Sequence, residues 1–320
     1  MKLVTLDFGT HTHCGVLLND ELVLDLVRLA HVLPAARLIP SSVKGVLEAG
    51  SEGLDLVRRV VDGVQSGKSV SMDQLLGQGV AISIERAEFS ASVLGAMVMS
   101  CGGAQRSHNK EMGEATPKDP SSFLKNNASL VGTGQAIVLP SIAPDMVDWE
   151  GEFCGVIGRP CHRVSPEEAL DYVAGYTLIN DVSARDWVKP FFQSSGHPMA
   201  VARAFLVNVM GKQFPTFCPL GPCIATKDEL PDPSNVVLTT KVNGEIMQQA
   251  NTSELEFSLA ELISYFSRFY RFMPGDVIST GTPSGVGFGR DPQVFLKEGD
   301  VVEVSVDEIG TLRNSVIRES

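Results

Sequence analysis

The segment Asp148-Trp149-Glu150-Gly151-Glu152-Phe153 runs directly into the apolar residues Cys154 to Ile157. Along a strand, side chains alternate between faces, so Glu150 and Glu152 project to the same side. Two carboxylates that close repel each other unless one is protonated or a cation bridges them. An oxygen-only donor set suits Mg²⁺, Mn²⁺ or Ca²⁺ rather than zinc. A third carboxylate, Asp181, follows the apolar run Gly175-Tyr176-Thr177-Leu178-Ile179-Asn180 where the chain turns polar, and it completes a candidate triad. Ordinary roles fit the same residues: a solvated acidic strand face for the pair, a turn or helix cap for Asp181, and a surface ion pair for Arg185 with Asp186.

The elements that must carry these groups are mainly strands. Gln135 to Leu139, Glu150 to Ile157, Tyr172 to Ile179, Val236 to Val242, Asp276 to Thr280 and Val301 to Val306 are rich in β-branched or alternating apolar residues. Asn243-Gly244 has the composition of a tight hairpin turn. Capping boxes at Ser165-Pro166-Glu167-Glu168 and Ser258-Leu259-Ala260-Glu261 announce two helices. Earlier in the chain, Lys2-Leu3-Val4-Thr5-Leu6 alternates, Asn19-Asp20 suggests a turn, and Leu54, Val57, Val61 and Val64 recur at helical spacing before a break at Ser66-Gly67. From Ala91 the composition shifts to small and apolar residues. The expected organisation is therefore a small N-terminal α/β module over residues 1–90, with the boundary near Phe89, and a strand-rich domain over 91–320 that would carry the candidate triad, α+β in class and mainly β. Strands are not regularly interleaved with helices, which disfavours a doubly wound parallel sheet.

Bulk properties narrow the partners. Of 320 residues, 38 are acidic and 26 basic, a formal charge of -12, so a nucleic acid or an anionic membrane would meet net repulsion. Apolar runs stop well short of a membrane span, and the opening residues lack a signal-peptide pattern, so a cytoplasmic location is expected. The six cysteines are dispersed without a C-x-x-C pair, which reads as reduced, buried, small apolar side chains.

Several of these segments occur in an order that resembles the fumarylacetoacetate hydrolase family. Trp149-Glu150-Gly151-Glu152, Val156-Ile157-Gly158-Arg159, and Gly175-Tyr176 through Asp186 carry the likeness first. It continues through Gly211-Lys212, Pro219-Leu220-Gly221-Pro222, Val242-Asn243-Gly244, Gln248, Asn251-Thr252, Pro274 to Gly287 and Glu298-Gly299-Asp300. The resemblance implies a mixed β-sandwich roll, usually dimeric, with Glu150, Glu152 and Asp181 as ligands of a divalent cation, Mg²⁺ first and Mn²⁺ or Ca²⁺ as alternatives. It also implies an acid/base pair, His108 with Glu111 three residues on, where a helical turn would bring the two together. By the same likeness Lys212 supplies positive charge to a developing oxyanion, and Arg185, Gln248, Gly281 and Thr282 contact substrate. A surface His-Glu pair and an ordinary turn lysine are the plain counterparts of these roles. His11, His13, His31, His162 and His197 match no family position and read as structural.

The chain departs from the family pattern at Ala104-Gln105, where Asn-Tyr is usual, at Arg106, at Val188, and at Pro215, where an Asp follows the Gly-Lys pair. Gln193 is a possible substitute for the Gln that Val188 replaces. The stretch between Trp187 and Gly211 is also longer than usual. Phe191, Phe192, Phe205, Phe214 and Phe217 near these segments fit either core packing or an apolar part of a substrate. A lid over residues 104–122, containing Gly113, Pro117 and Pro120, is expected to order over bound substrate. The implied reaction is hydrolytic C-C cleavage of a β-diketone or acylpyruvate-like 2-oxo acid. The alternatives are decarboxylation or isomerisation of an oxaloacetate-like or dienoate acid, and a non-catalytic metal-binding homologue.

Overall fold

The alternating residues after Met1 form the first strand of the computed structural model, which describes residues 1–113, 115, 117–187 and 198–319. Strands β1 (Lys2–Asp7), β2 (Thr12–Leu17) and β3 (Leu22–Asp25) make an antiparallel meander, and β4 (Ala81–Ser83) pairs with β3. The turn at Asn19 is an Asx turn in which its Oδ1 accepts from the backbone N–H groups of Glu21 and Leu22, both at 2.9 Å. Between β3 and β4 the chain is largely helical, and the helix Gly50–Gln65 buries Val57, Val60, Val61 and Val64.

The remaining strands are β5 (Val98–Gly102), β6 (Ser121–Lys125), β7 (Leu130–Val131), β8 (Ile137–Leu139), β9 (Val147–Asp148), β10 (Gly151–Ile157) and β11 (Val173–Asn180). They are followed by β12 (Ser183–Ala184), β13 (Cys218–Thr226), β14 (Val237–Val242), β15 (Glu245–Asn251), β16 (Val277–Ser279), β17 (Val301–Val306) and β18 (Gly310–Arg318). One sheet of 11 strands runs β4-β3-β2-β1-β13-β11-β10-β16-β5-β6, with β7 beside β13. A sheet of 5 strands, β15-β14-β17-β18-β8, packs against it, and β9 pairs with β12. Phe153, Tyr176 and Leu178 of the large sheet meet Leu238, Val304, Val306 and Leu312 of the smaller one in a shared core. This is the expected α+β, mainly β sandwich roll.

Both sequence-announced capping boxes are formed, and Asn243 and Gly244 turn with φ of 53° and 81°. The boundary near Phe89 is not a break in the sheet, because β1 pairs antiparallel with β13 and residues from both sides of the boundary share a second core. The strands of the first segment thus extend the catalytic sheet. The helix Pro198–Met210 has no counterpart among the sequence expectations. Its residues lack a clean apolar periodicity, so pattern reading had no face to find. All six cysteines are buried and free, and burial pushes the thiols of Cys14, Cys218 and Cys223 up to about 12.

Candidate active site

β10 and β11 are buried along their whole length and pair antiparallel, with Gly151 opposite Asn180 and Glu152 opposite Ile179. That register brings Asp181, just past the end of β11, next to Glu150, just before β10. The Asp181 N–H donates to Glu150 O at 2.8 Å, and the Glu150 N–H donates to Asn180 Oδ1 at 2.9 Å. Gly151 faces the other way, into the second sheet, where an added Cβ would lie 2.1 Å from Thr240 Oγ1. A side chain there would push β10 off the smaller sheet, so glycine between the two glutamates is a packing requirement. The carboxylates of Glu150, Glu152 and Asp181 converge with ligand atoms within 4.8 Å of one another, all three residues buried.

Three cations surround this cluster. Lys212 Nζ donates to Glu150 Oε2 at 2.5 Å and to Asp181 Oδ2 at 2.8 Å. Arg185 donates from Nη2 to Glu150 Oε1 at 2.6 Å and from Nε to Asp148 Oδ2 at 2.9 Å. Lys125 at the end of β6, with its side chain fully buried, donates to Asp181 Oδ1 at 2.7 Å and to Phe217 O at 2.9 Å. Glu152 has a hydroxyl donor, Ser279, and no ion pair among the described residues.

The consequences for ionisation are opposite. Burial pushes the Glu150 carboxyl up, but Lys212, Arg185 and His108 outweigh it and hold it well below the usual carboxylate range. Burial and then the charges of Asp181 and Glu150 push Glu152 well above that range. Burial pulls the Lys212 ammonium down, and the adjacent Asp181 and Glu150 more than reverse this.

The residues present fit a divalent cation. The donor set is all oxygen, and Glu152, Glu150 and Asp181 share a centre too close for three like charges. With Glu152 deprotonated, as a ligand must be, and Asp148 counted, four carboxylates against Lys125, Arg185 and Lys212 leave one net negative charge. A divalent ion would reverse that sign and make the pocket attractive to an anionic 2-oxo acid.

Glu150, Glu152, Arg185, Lys212, His108 and Thr282 line one cavity of about 260 Å³. A larger hollow of about 490 Å³, bordered by Arg58, Asp62, Pro222 and Gly310, brings together neither an imidazole nor a ligand cluster among the described residues. His108 and Glu111 lie on the helix Arg106–Glu111, and His108 Nδ1 is 3.4 Å from Glu111 Oε2. Among the described residues neither atom has another hydrogen-bond partner, so each faces the other at slightly more than bonding distance. Glu111 Oε1 accepts from the Gly285 N–H at 2.9 Å and Ser107 Oγ from the Ser284 N–H at 3.2 Å, which docks this helix onto the loop after β16.

Of the anticipated substrate contacts, Arg185 and Thr282 line the cavity. Gln248 and Gly281 hold the loop in place. Gln248 accepts from the Gly151 N–H at 3.0 Å and donates to Thr282 Oγ1 and Pro283 O, both at 2.8 Å, while Gly281 O accepts from Gln105 Nε2 at 3.3 Å. Arg106 forms an outer ion pair with Glu256 at 2.6 Å. Val188, Gln193, Phe191, Phe192 and His197 lie outside the described residues, as do 114 and 116 within the expected lid. His13 bonds the buried Asp25 at 2.8 Å, far from the site in sequence and fold.

Sequence reasoning gave no role to Lys125 or Asp148. Asp148 anchors the site's edge, accepting from Arg185 and from the N–H groups of Gly287 at 2.7 Å and Phe288 at 3.0 Å. Its signal was available, since it stands two residues before Glu150. Lys125 shares its strand face with Phe123, and only the pairing of β6 with β5 shows that this face turns inward.

Residues 97–317 match the family described as fumarylacetoacetate (FAA) hydrolase, C-terminal. The chain belongs to the fumarylacetoacetate hydrolase family. Among curated relatives, oxaloacetate tautomerase Fahd2a, mitochondrial, of Rattus norvegicus is 36% identical over 280 residues, 87% of this chain and 80% of that protein. Oxaloacetate tautomerase YisK of Bacillus subtilis (strain 168) is 31% identical over 318 residues, 99% of this chain and all of that one. Maleylpyruvate hydrolase from Sphingobium sp. SYK-6, solved with manganese(II) ion and pyruvate, superimposes with a TM-score of 0.69 at 25% identity, each chain covered over 100% of its length. The family is enzymatic, and its members here span isomerisation and hydrolysis. Among the described residues no helix is long and apolar enough to cross a membrane.

Proposed function

We propose that this family member interconverts the keto and enol forms of an oxaloacetate-like 2-oxo acid with the help of a divalent cation. The observation that carries the reading is that His108, with Glu111 behind it, lines the same cavity as Glu150, Glu152 and Lys212, and that Asp181 completes the carboxylate cluster beside it. Among the described lining residues there is no activated nucleophile. Cys101 lies there, but burial and the neighbouring Glu152 charge push its thiol well above the ordinary value, so it stays protonated. Proton transfer is what the remaining groups do well.

Glu150, Glu152 and Asp181 would hold the cation, Mg²⁺ or Mn²⁺, which supplies Lewis-acid polarisation of the oxo group. His108 takes the proton from the carbon beside the oxo group, and Glu111 stabilises the imidazolium that forms. Lys212 and Arg185 place positive charge beside the oxygen on which the electron pair collects. His108 then delivers that proton to the oxygen, completing the enol, and in the reverse direction it takes the hydroxyl proton and returns it to the carbon, so no atom is lost and no co-reactant is needed.

The likeness to the two tautomerases favours this reading over C-C hydrolysis. Hydrolysis of an acylpyruvate-like acid is the second reading, favoured by the likeness to maleylpyruvate hydrolase. Stopped-flow ultraviolet decay of enol-oxaloacetate, with pyruvate and acid products assayed in parallel on an acylpyruvate, separates the two. Faster ketonisation with Mg²⁺ or Mn²⁺, abolished by EDTA, is expected. Acylpyruvate cleavage with no effect on the oxaloacetate enol would move the protein to the hydrolases.

A further inference from the structure

The helix Pro198–Met210 does not behave as a core element. Of its 13 residues only Ala204 is buried, although the sequence is almost entirely apolar. One face presents Phe205, Asn208 and Val209, spaced three and four apart, to the cavity that holds the carboxylates. Met112 and Phe123 border the same cavity, and Lys212 Nζ lies 5.3 Å from the centre of the Phe123 ring. The cavity therefore has two ends: a charged one that suits a 2-oxo acid head, and an apolar wall contiguous with it.

The helix is also tied mechanically to the charged end. The Lys212 N–H donates to Val209 O at 3.1 Å and the Ala184 N–H to Gly211 O at 2.9 Å, which fixes the end of the helix beside the lysine. Phe214 and Phe217, by contrast, pack against each other at 5.3 Å in a separate core. Only some of the phenylalanines near the site are core residues. Phe205, 44% exposed, is at the cavity.

We propose that Phe205 and Val209 are specificity-determining residues, and that the substrate is an oxaloacetate-like 2-oxo acid whose reacting carbon also carries an apolar arm, aryl or branched alkyl, seated against this helix. This rests on the enolisation reading above and names its substrate class. The continuity of the apolar wall with the carboxylate cavity selects a substrate arm as the occupant, ahead of a second copy of the chain.

The test is a matched pair of substrates and a matched pair of inert analogues on the full-length, Mg²⁺-loaded protein. For ketonisation of the phenylpyruvate and oxaloacetate enols, Phe205→Ala is expected to lower kcat/KM for phenylpyruvate roughly tenfold, chiefly through KM, and that for oxaloacetate less than about twofold. Val209→Asp, on the same face, should act in the same direction. Calorimetry with N-phenyloxamate and oxamate reads binding alone, and wild type should hold the phenyl compound about tenfold more tightly, a preference lost in Phe205→Ala. Equal binding of the two analogues by wild type, or equal losses for both substrates, overturns the proposal. So does a Phe205→Ala protein that keeps its selectivity but changes its mass in solution, which would make the helix a subunit contact. If neither enol is turned over while the phenyl preference and its loss are seen, the enolisation reading falls and the apolar subsite stands.

Discussion

Glu150 and Glu152 are two residues apart and both buried, yet their carboxyls are shifted in opposite directions because Arg185 and Lys212 form ion pairs with only one of them. Glu150, held ionised by Lys212 and Arg185, contributes stability that is present above the ordinary carboxylate pKa of about 4.3 and lost on acidification. Glu152, pushed up, has the reverse sign: its contribution is present below about 4.3 and is lost as pH rises through its raised value. In EDTA, urea unfolding should therefore show Glu152→Gln gaining on wild type as the pH is raised. Glu150→Ala should lose on the order of 3–5 kcal/mol, because Lys212 and Arg185 are left without their shared partner. Cation binding must displace the Glu152 proton, so calorimetric affinity for Mn²⁺ is expected to rise with pH in wild type. An affinity independent of pH would contradict the assignment. His108→Asn should lower kcat by about 10²–10⁴ with the fold intact by circular dichroism, the usual range for loss of a general base.

At the scale of elements, the site depends on two packed β-strands and on one loop held by side chains. The Glu150-Gly151-Glu152 alternation was legible from the sequence because strand geometry alone puts both carboxylates on one face. The role of Gly151 was not, since it depends on Thr240 from another sheet. Gly151→Ala is expected to cost about 1–3 kcal/mol by overpacking and to weaken Mn²⁺ binding by displacing both glutamates, read by thermal melting and calorimetry together. His108 and Glu111 were placed correctly by helical spacing, but their anchoring was hidden, because Gly285 and Ser284 come from the far end of the chain. Lys125 went unrecognised for the same reason: its strand looks like any short alternating segment until β6 is paired with β5. Gln248, expected to contact substrate, bridges Gly151 and Thr282. Gln248→Ala should therefore lower stability as well as activity.

For the whole molecule, composition and strand content indicated a mainly β protein, while the way the first 90 residues join it could not be read from local pattern. The joint is a strand pairing, β1 on β13, between segments more than 200 residues apart. Removing residues 1–90 would uncover the edge of β13 and the apolar face beneath the Gly50–Gln65 helix. The remaining 91–320 fragment is expected to aggregate when expressed alone, and a soluble monomeric fragment with native circular dichroism would show the two parts to be independent. The proposed reaction turns on proton movement at one carbon beside the carboxylate cluster. Deuterium incorporation from D₂O at the methylene of oxaloacetate, followed by NMR against the uncatalysed rate, measures that step directly. The prediction is exchange accelerated by wild type with Mg²⁺ and lost both in EDTA and in His108→Asn; acceleration that survives either change would contradict the mechanism.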